Sequence, residues 1–420
     1  MQHTASASTY FFTTATVVSG CLFLLTSAPT YADNTPIPLL STWESNMTTF
    51  GRQICNKLIP GAEDLAAQGG DVYYDGERVY YQIAAYTGDP TWKYCAGLAE
   101  VIYRDGYVFP NNGRAAGYDN FTQGLLLDYQ QTRDTVSQNA LVLLSQNASF
   151  ASDGTPLEWS ADASVSREVA YAIMAYLNAE AVGQPRRARL SDMIDQALGH
   201  IDQWFISKTA PYVRPFMVGI TMQALIQAYD ATHDSRIPNA VKTALDGLWP
   251  SMWLPDCQCF KYTNVDTSSG DMSPAPDLNL IVAPAYGWMY YMTGDTQYRD
   301  RGDQIFAGGV ANAQTWLYLG KQFDQNYWWS PAYVAWRKAA QPGVPAAGPL
   351  PTTTSTGSVP SGNTVSTTPT APSPSPSPST PSQVLTTTTA PTTPSSAQPA
   401  EQTTGSRFLG KLKQLMDHVR

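Results

Sequence analysis

Apolar positions recur at helical spacing through most of residues 33–340, and the segments they mark are of two kinds. REVAYAIMAYLNA (167–179) and RPFMVGITMQALIQAY (214–229) are apolar or aromatic around most of the helical circumference. RLSDMIDQALGHIDQWF (189–205) and IPNAVKTALDGLWPSMW (237–253) alternate apolar and charged positions at the same period. The first kind belongs inside a protein, and the second has one face for water. Between a leading and a trailing segment stands a recurring punctuation: Thr87-Gly88-Asp89 and Thr293-Gly294-Asp295, with degraded forms at Thr132-Arg133-Asp134, Val182-Gly183-Gln184 and Thr232-His233-Asp234. The copies are roughly 45, 50, 50 and 61 residues apart, the spacing of helical hairpins. The middle residue supplies a left-handed C-cap and the residue after it an N-cap for the returning helix. The pattern predicts an all-α fold, an α/α toroid of about six hairpins with leading helices inside. Five turns are visible; LLSTWESNMTTFGRQICNKL (39–58) and SPAYVAWRK (330–338) are expected to supply the sixth hairpin.

A helix ending in YYMTGD (290–295), followed by QYRDRGDQIF (297–306), resembles the hairpins of the six-hairpin glycosidase-like superfamily, the (α/α)6-barrel enzymes that act on carbohydrates. The resemblance covers most of Thr42 to Lys338 and lies in structural punctuation, so it implies the fold more strongly than the activity. The adjacent Asp-Asp pair of the α-1,6-mannanase-like members is missing, which sets that branch aside.

Composition divides the chain further. Residues 1–32 have no Lys, Arg, Asp or Glu, hold the apolar run VVSGCLFLL and end in TYA, as a secretory signal does. Residues 33–340 form the expected toroid domain. Residues 341–405 are dominated by Pro, Ser, Thr, Ala and Gly and predict a disordered linker, and 406–420 a short basic amphipathic helix. That helix could dock to an anionic membrane surface or a partner protein. The net charge is −9; residues 341–420 carry +2 and the first 32 none, leaving −11 on the body. An acidic body argues against nucleic acid as a partner. Beyond Cys21, the chain has Cys55, Cys95, Cys257 and Cys259. An even count in an exported protein predicts disulfides, with three pairings open and strain expected in a bridge within Cys-Gln-Cys. No histidine stands near either pair, so neither a zinc site nor a cofactor is expected. Asn46, Asn120 and Asn147 each begin an N-glycosylation triplet.

The chemistry is expected in five long return connections, at 107–120, 149–164, 207–214, 254–277 and 318–330, beside the N-terminal ends of the inner helices. Glycoside hydrolysis uses two carboxyl groups, one donating a proton and one ionised. Asp119 and Glu168 are the first candidates, with Asp75 and Asp277 next. Tyr74, Tyr118, Asn120, Trp159, Arg214, Tyr262, Asp324 and Trp328 are the expected sugar-binding set. Each has a structural alternative: Asp119 and Asp277 can cap helices, Asp75 can be a turn residue, Glu168 can pair with Arg167 or Arg214, and Trp328 can pack. The expected function is a secreted glycoside hydrolase acting on a carbohydrate. A lyase with Tyr118 or Tyr262 as base beside Arg214 is one alternative, and a non-catalytic glycan- or partner-binding toroid is another. His200 and His233 fall away from the connections, so a Ser-His-Asp triad is not expected.

Overall fold

The computed structural model describes residues 33, 35–59, 70–313 and 316–346. The expected signal, most of the linker and the terminal helix lie outside them. The described chain is all-α apart from one two-stranded ribbon, β1 (Trp253–Leu254) paired antiparallel with β2 (Cys259–Phe260).

In chain order the helices are α1 (Leu40–Cys55), α2 (Gly76–Thr87), α3 (Trp92–Glu100), α4 (Gln123–Thr132), α5 (Thr135–Asn147), α6 (Ser166–Ala181), α7 (Arg189–Ile201), α8 (Pro215–Thr232), α9 (Arg236–Met252), α10 (Asn279–Thr293), α11 (Thr296–Ala313), α12 (Gly320–Tyr327) and α13 (Ser330–Ala339). The ends of α3 and α7 run on as π-helical turns, Val101–Val108 and Asp202–Ile206. The connection expected at 318–330 is therefore largely helical, because Phe323 and Tyr327 anchor its apolar face against Tyr80 and Trp43.

The punctuation has one wiring in four copies. The threonine hydroxyl donates to the carbonyl four residues back: Thr87 to Ile83, Thr132 to Asp128, Thr232 to Ala228, and Thr293 to Met289. The same oxygen accepts from the aspartate amide that follows: Asp89, Asp134, Asp234 and Asp295. Each aspartate then caps the next helix through the amide two residues on. Gly88 and Gly294 take the left-handed conformation at φ 71° and 68°. Arg133 and His233 adopt it too, where a Cβ is tolerated at a cost.

The two helix types sort as their patterns require. α6, α8 and α10 are buried nearly all round, whereas α7 buries Leu190, Met193, Ile194, Ala197 and Ile201 at intervals of three and four. Each leading helix packs against the next, α2 on α4, α4 on α6, α6 on α8 and α8 on α10; α10 meets α12 and α13, and α12 meets α1 and α2. Trp43 Nε1 donates to Ser330 Oγ at 3.1 Å, and the Tyr327 hydroxyl donates to the Trp43 carbonyl at 2.8 Å. Buried Arg337 pairs with Asp33 at 2.6 Å and with Asp303 at 3.1 Å. The two ends of the described chain are thereby locked together.

Two disulfides form, Cys55–Cys95 between α1 and α3 and Cys257–Cys259 within the ribbon. The second does occur within Cys-Gln-Cys, and Gln258 accommodates it at φ 47°. Its carbonyl leans on Gly308 of α11, where a Cβ would collide with it. Asn46 and Asn120 are buried, so their triplets are not accessible for glycosylation in the folded protein. The Asn147 amide donates to the Asn112 carbonyl.

Candidate active site

Half-buried side chains from the N-terminal ends of the leading helices, with the buried Glu168 among them, share one electrostatic neighbourhood. Tyr73 precedes α2; Tyr118 and Asp119 precede α4; Arg167 and Glu168 open α6; Arg214 precedes α8; Asp277 precedes α10; Lys321 opens α12. Arg167 is the hub. Its Nη2 lies 2.5 Å from Glu168 Oε1, and its guanidinium sits 5.2 Å from the Tyr118 ring centre. Its charge also acts on Tyr73, Tyr74, Tyr171, Tyr262, Asp119 and Lys321.

Asp119 lies in a 3-10 turn, Gly117–Asp119, and caps no helix; α4 starts four residues later behind Thr122. Its Oδ2 accepts from the Tyr107 hydroxyl at 3.3 Å. Burial pushes Asp119 up to about 6, while the Tyr107 hydrogen bond and the Arg167 charge hold it from rising further. The same turn carries Gly117, whose missing side chain lets Glu168 lie against the backbone. A Cβ there would come within 2.7 Å of Glu168 Cγ. Asp119 and Glu168 both act on Tyr73, and the turn that carries Asp119 lies against Glu168. Glu168 Oε1 is taken by Arg167, and its buried Oε2 has no protein hydrogen-bond partner.

Asp277 is raised by burial, with Gln325 and Lys321 opposing. Gln325 donates to its carbonyl at 2.6 Å, and the Asp277 carboxylate makes no cap for α10, whose N-cap is Leu278. Burial lowers Lys321, with Asp277 resisting and Arg167 assisting. Arg214 stacks on Tyr212 and Tyr262 and donates to the hydroxyls of Thr267 and Ser269. Burial raises Tyr262 despite the nearby arginines.

Beneath this rim lie expected site residues that the structure turns into framework. Asp75 is buried as the N-cap of α2, accepting from the Arg78 amide at 3.2 Å and from Gly124 of α4 at 3.0 Å. Both oxygens are committed to helix ends, a capping role in place of the turn residue that the sequence offered as its structural alternative. Trp328 is 2 % exposed and packs on Tyr74, Tyr171 and Arg78. Tyr74 is equally buried, at φ 69°. Asn120 faces inward, lining a small internal cavity with Asp75, Arg78, Tyr171 and Trp328. Asp324 is wholly buried on α12, not in a connection; burial and the charges of Asp71 and Asp75 drive it far up. Trp159 is 59 % exposed in a separate turn, Leu157–Ser160.

His200 is buried with Nε2 2.9 Å from the Ser160 carbonyl, and His233 is the left-handed cap after α8. Neither stands at the rim. Tyr107 and Lys321 belong to the rim but carry no local motif. Their signal is positional: Lys321 opens a leading helix, and Tyr107 closes the π-helical end of a trailing one. A separate groove of about 400 Å³ lies between α5, the 152–154 turn and the α6–α7 connection, lined by Ser145, Asp153 and Arg187 among others. None of the rim residues lines it.

No protein-family model matches this chain, and comparison with curated proteins and with solved structures finds no match. Among the described residues, no helix is long and apolar enough to cross a membrane. The two disulfides are compatible with an extracellular protein.

Proposed function

We propose that this protein is an exported glycoside hydrolase of the six-hairpin glycosidase-like type, with Asp119 as proton donor and Glu168 as the ionised carboxylate. The observation that carries this reading is the pairing of two unlike carboxyl groups across one arginine. Burial holds Asp119 near neutrality at about 6, whereas Glu168 is ion-paired with Arg167. Glycoside hydrolysis needs one carboxyl group that donates a proton and one that is ionised. The closed α/α toroid is supported by the succession of leading-helix contacts from α2 round to α12 and back to α2. Tyr73, Tyr118 and Tyr262 offer half-buried faces on which a sugar ring can stack.

A lyase is the second reading, favoured by Arg214, which donates to the neutral hydroxyls of Thr267 and Ser269 and could meet a uronate. Against it, burial raises Tyr262, the direction opposite to that needed by a tyrosine base.

The test is turnover by the full chain on neutral and uronate-containing polysaccharides, recording reducing ends and ultraviolet absorbance together. Reducing ends without absorbance, abolished by Asp119→Asn and Glu168→Gln, support the hydrolase. Reducing ends with absorbance identify a lyase. Binding without products leaves a carbohydrate-binding toroid, and turnover unaffected by both substitutions overturns the catalytic assignment.

A further inference from the structure

Away from the rim, three carboxylates meet in the interior where α2, α3 and α4 converge. Glu77 comes from the first turn of α2, Glu100 from the end of α3 and Asp128 from the middle of α4. All three are buried, at 2 %, 8 % and 4 % exposure, and one oxygen of each lies within 4.8 Å of the others. Two of the three have hydrogen-bond partners. Glu100 Oε1 accepts from Ser137 Oγ and is paired with Arg104. Asp128 Oδ1 accepts from the Tyr81 hydroxyl at 2.6 Å. Glu77 is different: neither of its oxygens has a hydrogen-bond partner among the described residues, although it is 98 % buried and its carboxylate faces the other two.

A buried carboxylate without hydrogen bonds, facing two more carboxylates, is costly unless a positive charge joins them. Arg104 does not meet that need alone, because it also pairs with Asp105 and Asp134. The oxygen spacing suits an ion. Opposite ligands at calcium–oxygen distances of about 2.3 to 2.6 Å stand about 4.6 to 5.2 Å apart, so oxygens within 4.8 Å can share one centre.

We propose that Glu77, Glu100 and Asp128 bind a hard divalent cation, calcium by preference, as an internal clamp on the first two hairpins. Carboxylate oxygen is the ligand chemistry of such ions, and the absence of sulfur or imidazole from the trio disfavours zinc. The clamp joins helices that Asp75 already links at their N-termini, so the cation would stiffen the support beneath the rim without touching substrate.

The experiment uses the full chain, freed of metal with a chelator and dialysed. Terbium(III) is the first probe, excited through tyrosine, because the Tyr81 hydroxyl touches Asp128. Luminescence is expected to saturate at one equivalent and to be displaced by calcium, and calcium is expected to raise the melting temperature. Glu77→Gln is expected to abolish both effects while remaining folded, since an amide is cheaper to bury than an unpaired carboxylate. Asp128→Asn, an independent variant, is expected to weaken terbium affinity beyond the roughly 10- to 100-fold that loss of an outer-shell partner costs. Exposed Glu158→Gln should change nothing. Unchanged melting with calcium, magnesium and manganese, together with no stoichiometric terbium signal, overturns the proposal. So does terbium binding that survives both Glu77→Gln and Asp128→Asn.

Discussion

The Tyr107 hydroxyl donates to Asp119 Oδ2 across 3.3 Å, tying the π-helical end of α3 to a carboxyl group just ahead of α4. The bond favours the ionised carboxylate, and burial opposes it and wins, leaving Asp119 at about 6.

A proton donor with that value sets the alkaline limb of catalysis. Turnover is expected to fall as pH rises past about 6, approaching tenfold per pH unit. Tyr107→Phe removes a stabiliser of the anion, so its limb moves to higher pH, and Asp119→Asn loses roughly 10²- to 10⁴-fold in kcat. A pH–rate profile of the three proteins checks this; superimposable limbs for Tyr107→Phe and wild type would refute the role given to the bond.

The same carboxyl has a stability signature of definite sign. Its folded value is raised above the ordinary 3.8, so the folded state holds the proton more tightly than the unfolded chain. That contribution is fully present below 3.8 and is lost as pH rises through about 6. Asp119→Asn should therefore melt with wild type in acid and above it at neutral pH. Calorimetry at the two pH values distinguishes this from a group that merely caps a helix, whose loss destabilises throughout.

Arg167 holds Glu168 and lowers Asp119. Arg167→Gln is expected to cost more than about 100-fold in kcat and to shift the alkaline limb upward. Arg167→Lys keeps the charge but not the planar fork, and should hold the limb closer to wild type while still losing turnover. Loss confined to KM would make Arg167 a binding group instead.

Asp75 accepts from the amides of Arg78 and Gly124, and its charge acts on the buried Arg78 guanidinium. Asp75→Ala removes caps from two helices, a loss of about 1 to 4 kcal/mol. Urea unfolding measures it, and a loss below about 1 kcal/mol would exclude the framework role.

The disulfides should differ in worth because they close different loops. Cys55–Cys95 spans 40 residues, and replacing both cysteines with serine is expected to cost about 4 kcal/mol from loop entropy. Cys257–Cys259 spans two, and its removal should cost about 1.5 kcal/mol. Denaturation of the two double variants tests the ranking, and non-reducing peptide mapping tests the pairing.

Hairpins are legible in the sequence, because their signals are local. The Thr-x-Asp turns require a hydroxyl, a left-handed residue and a capping carboxylate at consecutive positions, and all three are written in sequence order. The contrast between helices apolar all round, such as α8, and one-faced helices, such as α7, is likewise local periodicity. It sorted inside from outside. That Asp119 and Glu168 would be neighbours was reachable only as an expectation, from leading helices placing their N-termini together. The sequence alone did not distinguish rim from framework. Tyr74, Asp75, Asp324 and Trp328 belong to the same segments as the rim residues, yet each is buried, Asp75 against the ends of two helices and Trp328 against Tyr74, Tyr171 and Arg78. Nor could pattern foresee the meeting of Glu77, Glu100 and Asp128, which are far apart in the chain. Local spacing determined the helices and their turns; the packing of one helix against another decided which carboxylates share a neighbourhood, because electrostatic environment depends on distance in space.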